Sequence, residues 1–187
     1  MRARNVWAEV DLSAIAHNVQ VTRKVLKPGT KICAVVKADA YGHGAVPVAT
    51  AALAAGVNYL AVSMTQEALN RIGCRPEEAA DLAEAISKLP HVELEGMFSH
   101  FASADEMDKS FAESQYRKFM EADRAIKDRG IQIPLVHIDN SAGITEMKHT
   151  ECDMVRQGIT LYGLWPSDDV ERCLDLKPAL SLKAEVV

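Results

Sequence analysis

Residues 34–45 read AVVKADAYGHGA, an apolar run that meets a lysine and then a tyrosine among small residues. The strand pattern begins three residues earlier, at Lys31, and KICAVV (31–36) predicts a short buried strand. Lys37 therefore stands at the carboxyl end of a strand. The chain can turn sharply there into a helix because small residues follow, namely Ala38, Ala40, Gly42 and Gly44. On this local pattern, Lys37 is either a solvated lysine beside a turn or an amine held in a partly dry pocket for covalent chemistry.

Helical patterns lie on both sides of this strand. They predict helices over 11–29, 42–56, 75–90 and 110–130. Asp11 is a favourable N-cap for the first helix, which Pro28 and Gly29 end. Pro76 opens the third helix, and two glutamates follow it in the first turn. The apolar residues expected to face the core are Val46, Ala49 and Leu53 in the second helix, and Leu82, Ile86 and Leu89 in the third.

Strand patterns alternate with the helices, at 31–36, 57–63 and 92–101. Residues 133–143 predict a further strand that leads into a turn, and residues 153–164 predict a strand followed by a loop. This order predicts parallel βαβ units, hence an α/β sheet or barrel whose functional groups lie at the carboxyl ends of the strands. A last run at 179–187 alternates like an edge or antiparallel strand. Polar candidates at or just past strand ends are Lys37, His100, His137, Asn140, Ser141, Arg156 and Gly158. In a barrel, they would face one mouth.

The composition excludes several function classes. A chain of 187 residues is in the range of one globular domain with a buried core. The formal net charge of -5 argues against a nucleic-acid or anionic-membrane surface. No apolar run is long enough to span a bilayer, and the N-terminus has no signal-peptide core, which predicts a cytoplasmic protein. The cysteines lack metal-ligand or disulfide spacing, so no metal site is expected at Cys33, Cys74, Cys152 or Cys173.

The strand and helix pattern is interrupted near Asn70 and Arg71. After the strand at 57–63, a helix begins at MTQEALN (64–70), yet a new helix opens at Pro76 with no strand between them. A βαβ crossover alone needs about a dozen residues. A closed barrel of this type has eight strands and usually about 200 to 250 residues. We therefore expect that a segment is missing at this point.

Several motifs resemble those of the alanine racemases. They are AEVDLSAIAHN (8–18), AVVKADAYGHG (34–44), AVSMTQEALN (61–70), RIGCRPEEA (71–79), LEGMFSHFASADE (94–106), VHIDNSAG (136–143) and MVRQGITLYGL (154–164). The resemblance covers nearly the whole chain. It implies a (β/α)8 TIM-barrel-type N-terminal domain over residues 1–179, with residues 180–187 as the start of a C-terminal β domain. Relative to the family, further strands are lacking between Asn70 and Arg71, and so is the rest of the C-terminal β domain.

The resemblance implies pyridoxal 5'-phosphate (PLP) as the cofactor. Lys37 would bind it covalently and act as the base on one face of the substrate. Tyr41 resembles the tyrosine whose hydroxyl contacts the phosphate. The turn at Asn140 and Ser141 and the backbone of the loop RQGIT would complete the phosphate site, because backbone N–H groups at helix starts suit an anion. The loop residues that match family phosphate-binding positions are Gly158 and Ile159.

Four further residues match positions around the cofactor ring. Arg156 resembles the arginine that faces the pyridine nitrogen, and a guanidinium keeps its protons at ordinary pH and leaves that nitrogen unprotonated. The ring is then a weaker electron sink, which favours return of the proton to the alpha carbon. His137 would orient this arginine, and His100 would pack against the ring. Arg71 resembles the arginine that contacts the cofactor phenolate, although TQEALN before it departs from the family's Gly-rich approach.

Racemisation needs a second acid–base group on the opposite face of the alpha carbon. In the family this is a tyrosine from the C-terminal domain of the partner subunit, and Tyr59, Tyr116 and Tyr162 match none of its positions. The resemblance thus implies a homodimer. We expect the 187-residue chain alone to be a feeble catalyst.

The implied activity is the interconversion of L-alanine and D-alanine, which supplies D-alanine for cell-wall peptidoglycan. Three alternatives remain open from the sequence. The chain could be a single-domain PLP-binding protein without racemase activity, or a racemase for another small amino acid such as serine. It could also be a non-catalytic α/β domain whose barrel cannot close and which no longer binds cofactor.

Overall fold

The computed structural model describes residues 6–62 and 73–185. The strands are β1 (Val6–Val10), β2 (Lys31–Val35), β3 (Tyr59–Ala61), β4 (Gly96–Phe98), β5 (Leu135–His137), β6 (Met154–Gln157) and β7 (Leu180–Ala184). The helices are α1 (Leu12–Val25), the left-handed turn α2 (Lys37–Gly42), α3 (Ala45–Ala54), α4 (Ala79–Ser87), α5 (Ser110–Asp128) and α6 (Ser141–Glu146), with 3-10 turns η1 (Pro76–Glu78) and η2 (Ile159–Tyr162). Within these ranges, none of the helices combines the length and the hydropathy needed to cross a membrane.

Five parallel strands form the frame of the fold. β2 pairs with β3 on one side and β6 on the other, and β4 pairs with β5. Backbone hydrogen bonds of 2.9 Å from Asp153 N to Val136 O and from Arg156 N to Asp139 O join the β5 and β6 segments. The order across the frame is therefore β3-β2-β6-β5-β4. This confirms the predicted α/β class with parallel strands and brings the carboxyl ends of five strands to one edge.

β1 and β7 lie apart from this parallel frame and form an antiparallel ribbon. Val6 pairs with Ala184, and Val10 pairs with Leu180. The antiparallel character of the last strand was predicted, whereas β1 was not. Its alternation spans only VWAEV immediately before the N-cap of α1, which is too short for the sequence pattern to be distinctive.

The predicted core faces of two helices are wrong at most of the named residues, although Ala49 packs partly buried against the core as predicted. In α3, Val46 is 78% exposed and Leu53 is 48% exposed, while Val48 and Ala52 are buried against α1 and β2. In α4, Leu82 and Leu89 are exposed, and the buried residues are Ala80 and Ala83. Alanine faces allow each helix to pack closely on its neighbour, and sequence patterns weighted toward large apolar residues miss such faces.

The N-cap of α1 is the predicted one. The carboxylate of Asp11 accepts hydrogen bonds from Ser13 N at 2.8 Å and Ala14 N at 3.3 Å. These satisfy two of the backbone donors that an α-helix leaves without partners at its start.

Replacing Asp11 with alanine is expected to lower the free energy of unfolding by about 1 kcal/mol, because an uncapped helix start must rely on water. Asp11→Asn keeps a capping oxygen and should retain most of that stability. Urea unfolding of the three chains measures the difference. Equal losses in the alanine and asparagine variants would contradict a capping role.

Candidate active site

The carboxyl ends of β2, β5 and β6 bring the candidate residues together. Lys37 follows β2, His137 ends β5, and Arg156 lies in β6, where it is in register with Cys33 of β2. His100 follows β4, so four strands contribute to one edge. Arg71 lies outside the described residues, and its predicted contact with the cofactor stays a prediction.

The chain leaves β2 through a left-handed turn. Ala38, Asp39, Ala40 and Tyr41 all have φ between 51° and 53°. For residues other than glycine this conformation costs roughly 1–2 kcal/mol each, and consecutive cases are rare. Such strain persists only where surrounding contacts hold it, and it occurs preferentially at functional sites. The backbone therefore makes the segment after Lys37 a candidate functional segment, independently of its sequence motif.

Polar contacts hold both ends of this turn. Ala40 N donates to Val36 O at 3.1 Å, and the Asp39 carboxylate accepts from Ala45 N at 2.7 Å. The Lys37 ammonium lies 5.7 Å from the centroid of the Tyr41 ring. The turn thus presents the lysine and the tyrosine on the same side of the strand ends.

A second cluster forms where α6 and η2 begin. The hydroxyl of Ser141 accepts hydrogen bonds from Gly158 N at 3.0 Å and from the Thr160 hydroxyl at 3.2 Å. A Cβ added at Gly158 would lie 3.5 Å from Ser141 Oγ and 3.9 Å from the Tyr41 hydroxyl. The glycine therefore leaves open a small space bordered by two hydroxyl groups and a backbone N–H.

Asn140 has a structural part in this cluster. Its side-chain oxygen accepts from Gly143 N at 3.0 Å and caps α6, while its amide nitrogen donates to Phe101 O at 3.1 Å. It thereby holds Ser141 at the start of the helix. Ile159 begins η2 beside Gly158, and its carbonyl oxygen accepts from Leu164 N at 3.3 Å.

Arg156 is held by hydrogen bonds through both terminal nitrogens of its guanidinium. Nη1 donates to His137 Nδ1 at 2.7 Å, and Nη2 donates to the carbonyl oxygens of Ser99 at 2.7 Å and Ile138 at 3.1 Å. Nη2 also lies 3.2 Å from His100 Nδ1. Within the described ranges, Nε makes no side-chain hydrogen bond and no carboxylate pairs with the guanidinium. Nη1 also donates to His137 O at 3.4 Å, so Nε–H is the one donor of this fixed cation without a partner among the described residues.

Both histidines next to Arg156 are neutral. Because a guanidinium only donates, the His137 imidazole accepts through Nδ1 and carries its proton on Nε2. His100 lies between two donors, with Nδ1 3.2 Å from Arg156 Nη2 and Nε2 3.3 Å from Asn140 Nδ2. Burial and then the charge of Arg156 lower the pKa of His137 to about 4, and the same causes lower the pKa of His100. His137 stacks on the Phe98 ring with the centroids 5.4 Å apart. The histidines are thus set to orient the arginine without adding charge.

This geometry suits an aldehyde cofactor that carries a phosphate. It offers an amine at a strand end, hydroxyl and N–H groups around a small space, and a fixed cation. The family model described as "Alanine racemase, N-terminal domain" matches residues 10–70 and 68–166. The chain belongs to the alanine racemase family. The two matched stretches overlap at residues 68–70, next to the interruption predicted from the sequence near Asn70 and Arg71.

Individual racemases align along almost the whole chain. The alanine racemase of Desulfovibrio desulfuricans is 35% identical over 247 residues, which include 98% of this chain and 67% of that protein. Alanine racemase 2 of Caldanaerobacter subterraneus subsp. tengcongensis is 36% identical, with 98% of this chain and 64% of that protein covered. The chain therefore spans about two thirds of the length of these relatives. An alignment of 247 residues against a chain of 187 leaves many positions without a counterpart.

Solved racemase structures share the fold. The alanine racemase from E. faecalis superposes with a TM-score of 0.87 at 28% identity, covering 96% of this chain and 66% of that chain. The Bacillus anthracis alanine racemase with bound L-Ala-P has a TM-score of 0.79 at 32% identity, with 97% and 64% covered. The TIM-barrel type of N-terminal domain predicted from the sequence is confirmed by these comparisons.

The sequence motifs predicted most residues of the candidate site but gave no role to three residues that contact it. Thr160 donates to Ser141, Phe98 stacks on His137, and Tyr162 contacts the turn after Lys37. The one available signal was position, since each of the three lies inside a motif that the family shares. Their roles depend on side-chain directions, which single-sequence patterns do not give.

Proposed function

We propose that this chain is the cofactor-binding part of a PLP-dependent alanine racemase, which interconverts L-alanine and D-alanine. The observation that carries the proposal is the strained turn after β2, which presents Lys37 beside Tyr41 and opposite the Ser141 and Gly158 cluster. The same proposal includes a homodimer and a cytoplasmic location. It also includes the division into a barrel at 1–179 and a β domain from 180. The racemases that match the chain along its length support it.

The residues present fit the phosphate end of PLP. The space that Gly158 leaves open is bordered by the Tyr41 and Ser141 hydroxyls, and the Gly158 N–H holds Ser141 Oγ at this border by donating to it at 3.0 Å. Hydroxyl and backbone N–H donors are the groups that bind a phosphate without needing a cation. Any side chain at position 158 would occupy this space.

The residues present also fit the ring end of the cofactor. Two terminal nitrogens of Arg156 are used by the protein, which leaves the Nε–H to donate toward a ring nitrogen. Because a guanidinium does not give up its proton, it would leave that ring nitrogen uncharged. His137 keeps the guanidinium in this orientation through its neutral Nδ1 acceptor, and the His100 ring lies against Nη2 at 3.2 Å.

PLP, when bound, supplies an electron sink that acidifies the alpha hydrogen of an amino acid. The part of this chain's own residues is to anchor the cofactor through the Lys37 amine and to move a proton at that Nζ on one face of the substrate. Arg156 limits how much charge the ring accepts, which favours return of the proton to carbon over side reactions.

A second candidate function is PLP binding without racemisation. Among the described tyrosines, the hydroxyl of Tyr162 donates to Val35 O at 2.8 Å, and that of Tyr116 accepts from Glu151 N at 2.8 Å. Tyr59 lies at the opposite end of the strands, beside Lys31. None of the three stands opposite Lys37 as the second acid–base group. This favours cofactor binding with weak turnover for the chain by itself.

The deciding experiment is intact-mass spectrometry of the chain incubated with PLP, before and after borohydride reduction. The expected result is a single reduced adduct that peptide mapping places on Lys37. A chain without an adduct, or with label spread over surface lysines, would overturn the proposal. A racemase assay on the same sample separates the two candidates, and ordinary enzymatic turnover by this chain alone would contradict the expectation of feeble catalysis.

A further inference from the structure

Tyr162 is a buried residue that touches the lysine segment from outside the cofactor site. It is 2% exposed, and its hydroxyl donates to Val35 O at 2.8 Å. Its ring meets the Tyr41 ring edge-on at 5.1 Å and lies 4.6 Å from the His43 ring. Burial raises the pKa of Tyr162, so its hydroxyl keeps the proton that it donates. One side chain thus contacts three points of the chain around Lys37.

These three points enclose the left-handed turn. Val35 ends β2 before the turn, Tyr41 is the last residue other than glycine with a positive φ in it, and His43 follows the turn. The His43 ring in turn lies with Nδ1 3.0 Å from Ala40 O. A segment with four left-handed residues needs contacts of this kind, because the backbone alone favours other conformations.

Tyr162 also connects this turn to the phosphate-side cluster. It is the last residue of η2, which begins directly after Gly158, and Leu161 N donates to Gly158 O at 3.0 Å. Its carbonyl oxygen accepts from Ala179 N at 3.0 Å, which fixes the end of the same short turn. The loop that carries Gly158 and the turn that carries Lys37 therefore meet at one aromatic residue.

We propose that Tyr162 is a positioning residue, which holds the left-handed turn and thereby sets Lys37 and Tyr41 against the Ser141 and Gly158 cluster. The role of Lys37 and Tyr41 toward PLP rests on the proposed function. The claim that Tyr162 holds the turn does not. The contacts that carry this role are with the protein itself, namely Val35 O and the rings of Tyr41 and His43.

The test compares Tyr162→Phe with the matched variant Tyr116→Phe. Each loses one hydroxyl that bonds to a backbone group at 2.8 Å, and Tyr116 packs in the other core cluster, away from Lys37. Hydrogen exchange of the cofactor-free chain reports on residues 36–44. Absorbance titration gives the dissociation constant of PLP, and urea unfolding gives global stability.

Tyr162→Phe is expected to speed exchange over residues 36–44 and to raise the dissociation constant of PLP by about fivefold, the effect of losing one hydrogen bond. Tyr116→Phe should lose similar global stability with neither local effect. Unchanged exchange at 36–44 in Tyr162→Phe, or equal changes in both variants, would overturn the proposal. If the wild-type chain binds no PLP at Lys37 while Tyr162→Phe alone speeds exchange at 36–44, the positioning role stands and the proposed function fails.

Discussion

The Lys37→Ala chain is expected to form no borohydride-stable adduct with PLP. Lys37 is the amine that the left-handed turn places beside Tyr41, and alanine removes it without adding bulk at a half-buried position. Any racemase turnover should fall by roughly 100- to 10,000-fold, the usual contribution of a positioned acid–base group. Intact mass after reduction and a D-alanine assay measure the two effects.

Lys31→Ala is the matched control for this experiment. Lys31 begins the strand that Lys37 follows, and its ammonium lies 5.6 Å from the centroid of the Tyr59 ring, much as that of Lys37 lies near Tyr41. The two lysines therefore differ mainly in the end of the strand at which they stand. A reduced adduct that persists in Lys37→Ala, or that disappears in Lys31→Ala, would show that the amine which binds PLP has been wrongly assigned.

The location of the site could be predicted from the sequence because parallel strands share a direction. Once KICAVV and MVRQ are recognised as strands of one βαβ fold, Lys37 and Arg156 must come to the same edge. The sequence also predicted that Asn140 and Ser141 open a helix, since their turn chemistry is local. These features depend on strand direction and short-range hydrogen bonds, which the pattern of residues specifies.

The conformation of the lysine segment could not be predicted in this way. Small residues after Lys37 indicated a sharp turn, but Ala38 and Ala40 have no local preference for a left-handed backbone. That conformation depends on Tyr162, which is more than a hundred residues further along the chain. The same limit explains the wrong faces of α3 and α4, where partner helices decide which alanines are buried.

Two residues at the end of β5, His137 and Asp139, have pKa values that the fold shifts in opposite directions. Burial raises the pKa of Asp139 to about 6, and its one bonded oxygen accepts from the Thr150 hydroxyl at 2.6 Å. The folded state then holds a proton that the unfolded state loses near pH 4, so this carboxyl reduces stability as the pH rises from about 4 to about 6. The difference corresponds to about 3 kcal/mol.

His137 has the reverse effect on stability over nearly the same pH range. Its pKa is lowered to about 4, so the unfolded state binds a proton below about pH 6.5 that the folded state refuses. Stability from His137 is therefore complete above pH 6.5 and is lost as the pH falls toward 4. Because the imidazole is only half-buried and water screens it, we expect an effect of about 2 kcal/mol.

Replacing each residue in turn should reveal how each one changes the free energy of unfolding with pH. Relative to wild type, Asp139→Asn is expected to become more stable by about 3 kcal/mol as the pH rises from 4 to 6.5, since the destabilising titration of Asp139 is removed. His137→Asn, which keeps an acceptor for Arg156, should lose about 2 kcal/mol relative to wild type over the same rise in pH, since the stabilising titration of His137 is removed. Urea unfolding at intervals across this range measures both, and the other titrating groups cancel in the difference from wild type. Variant curves that run parallel to the wild-type curve would mean that neither group titrates differently in the folded chain.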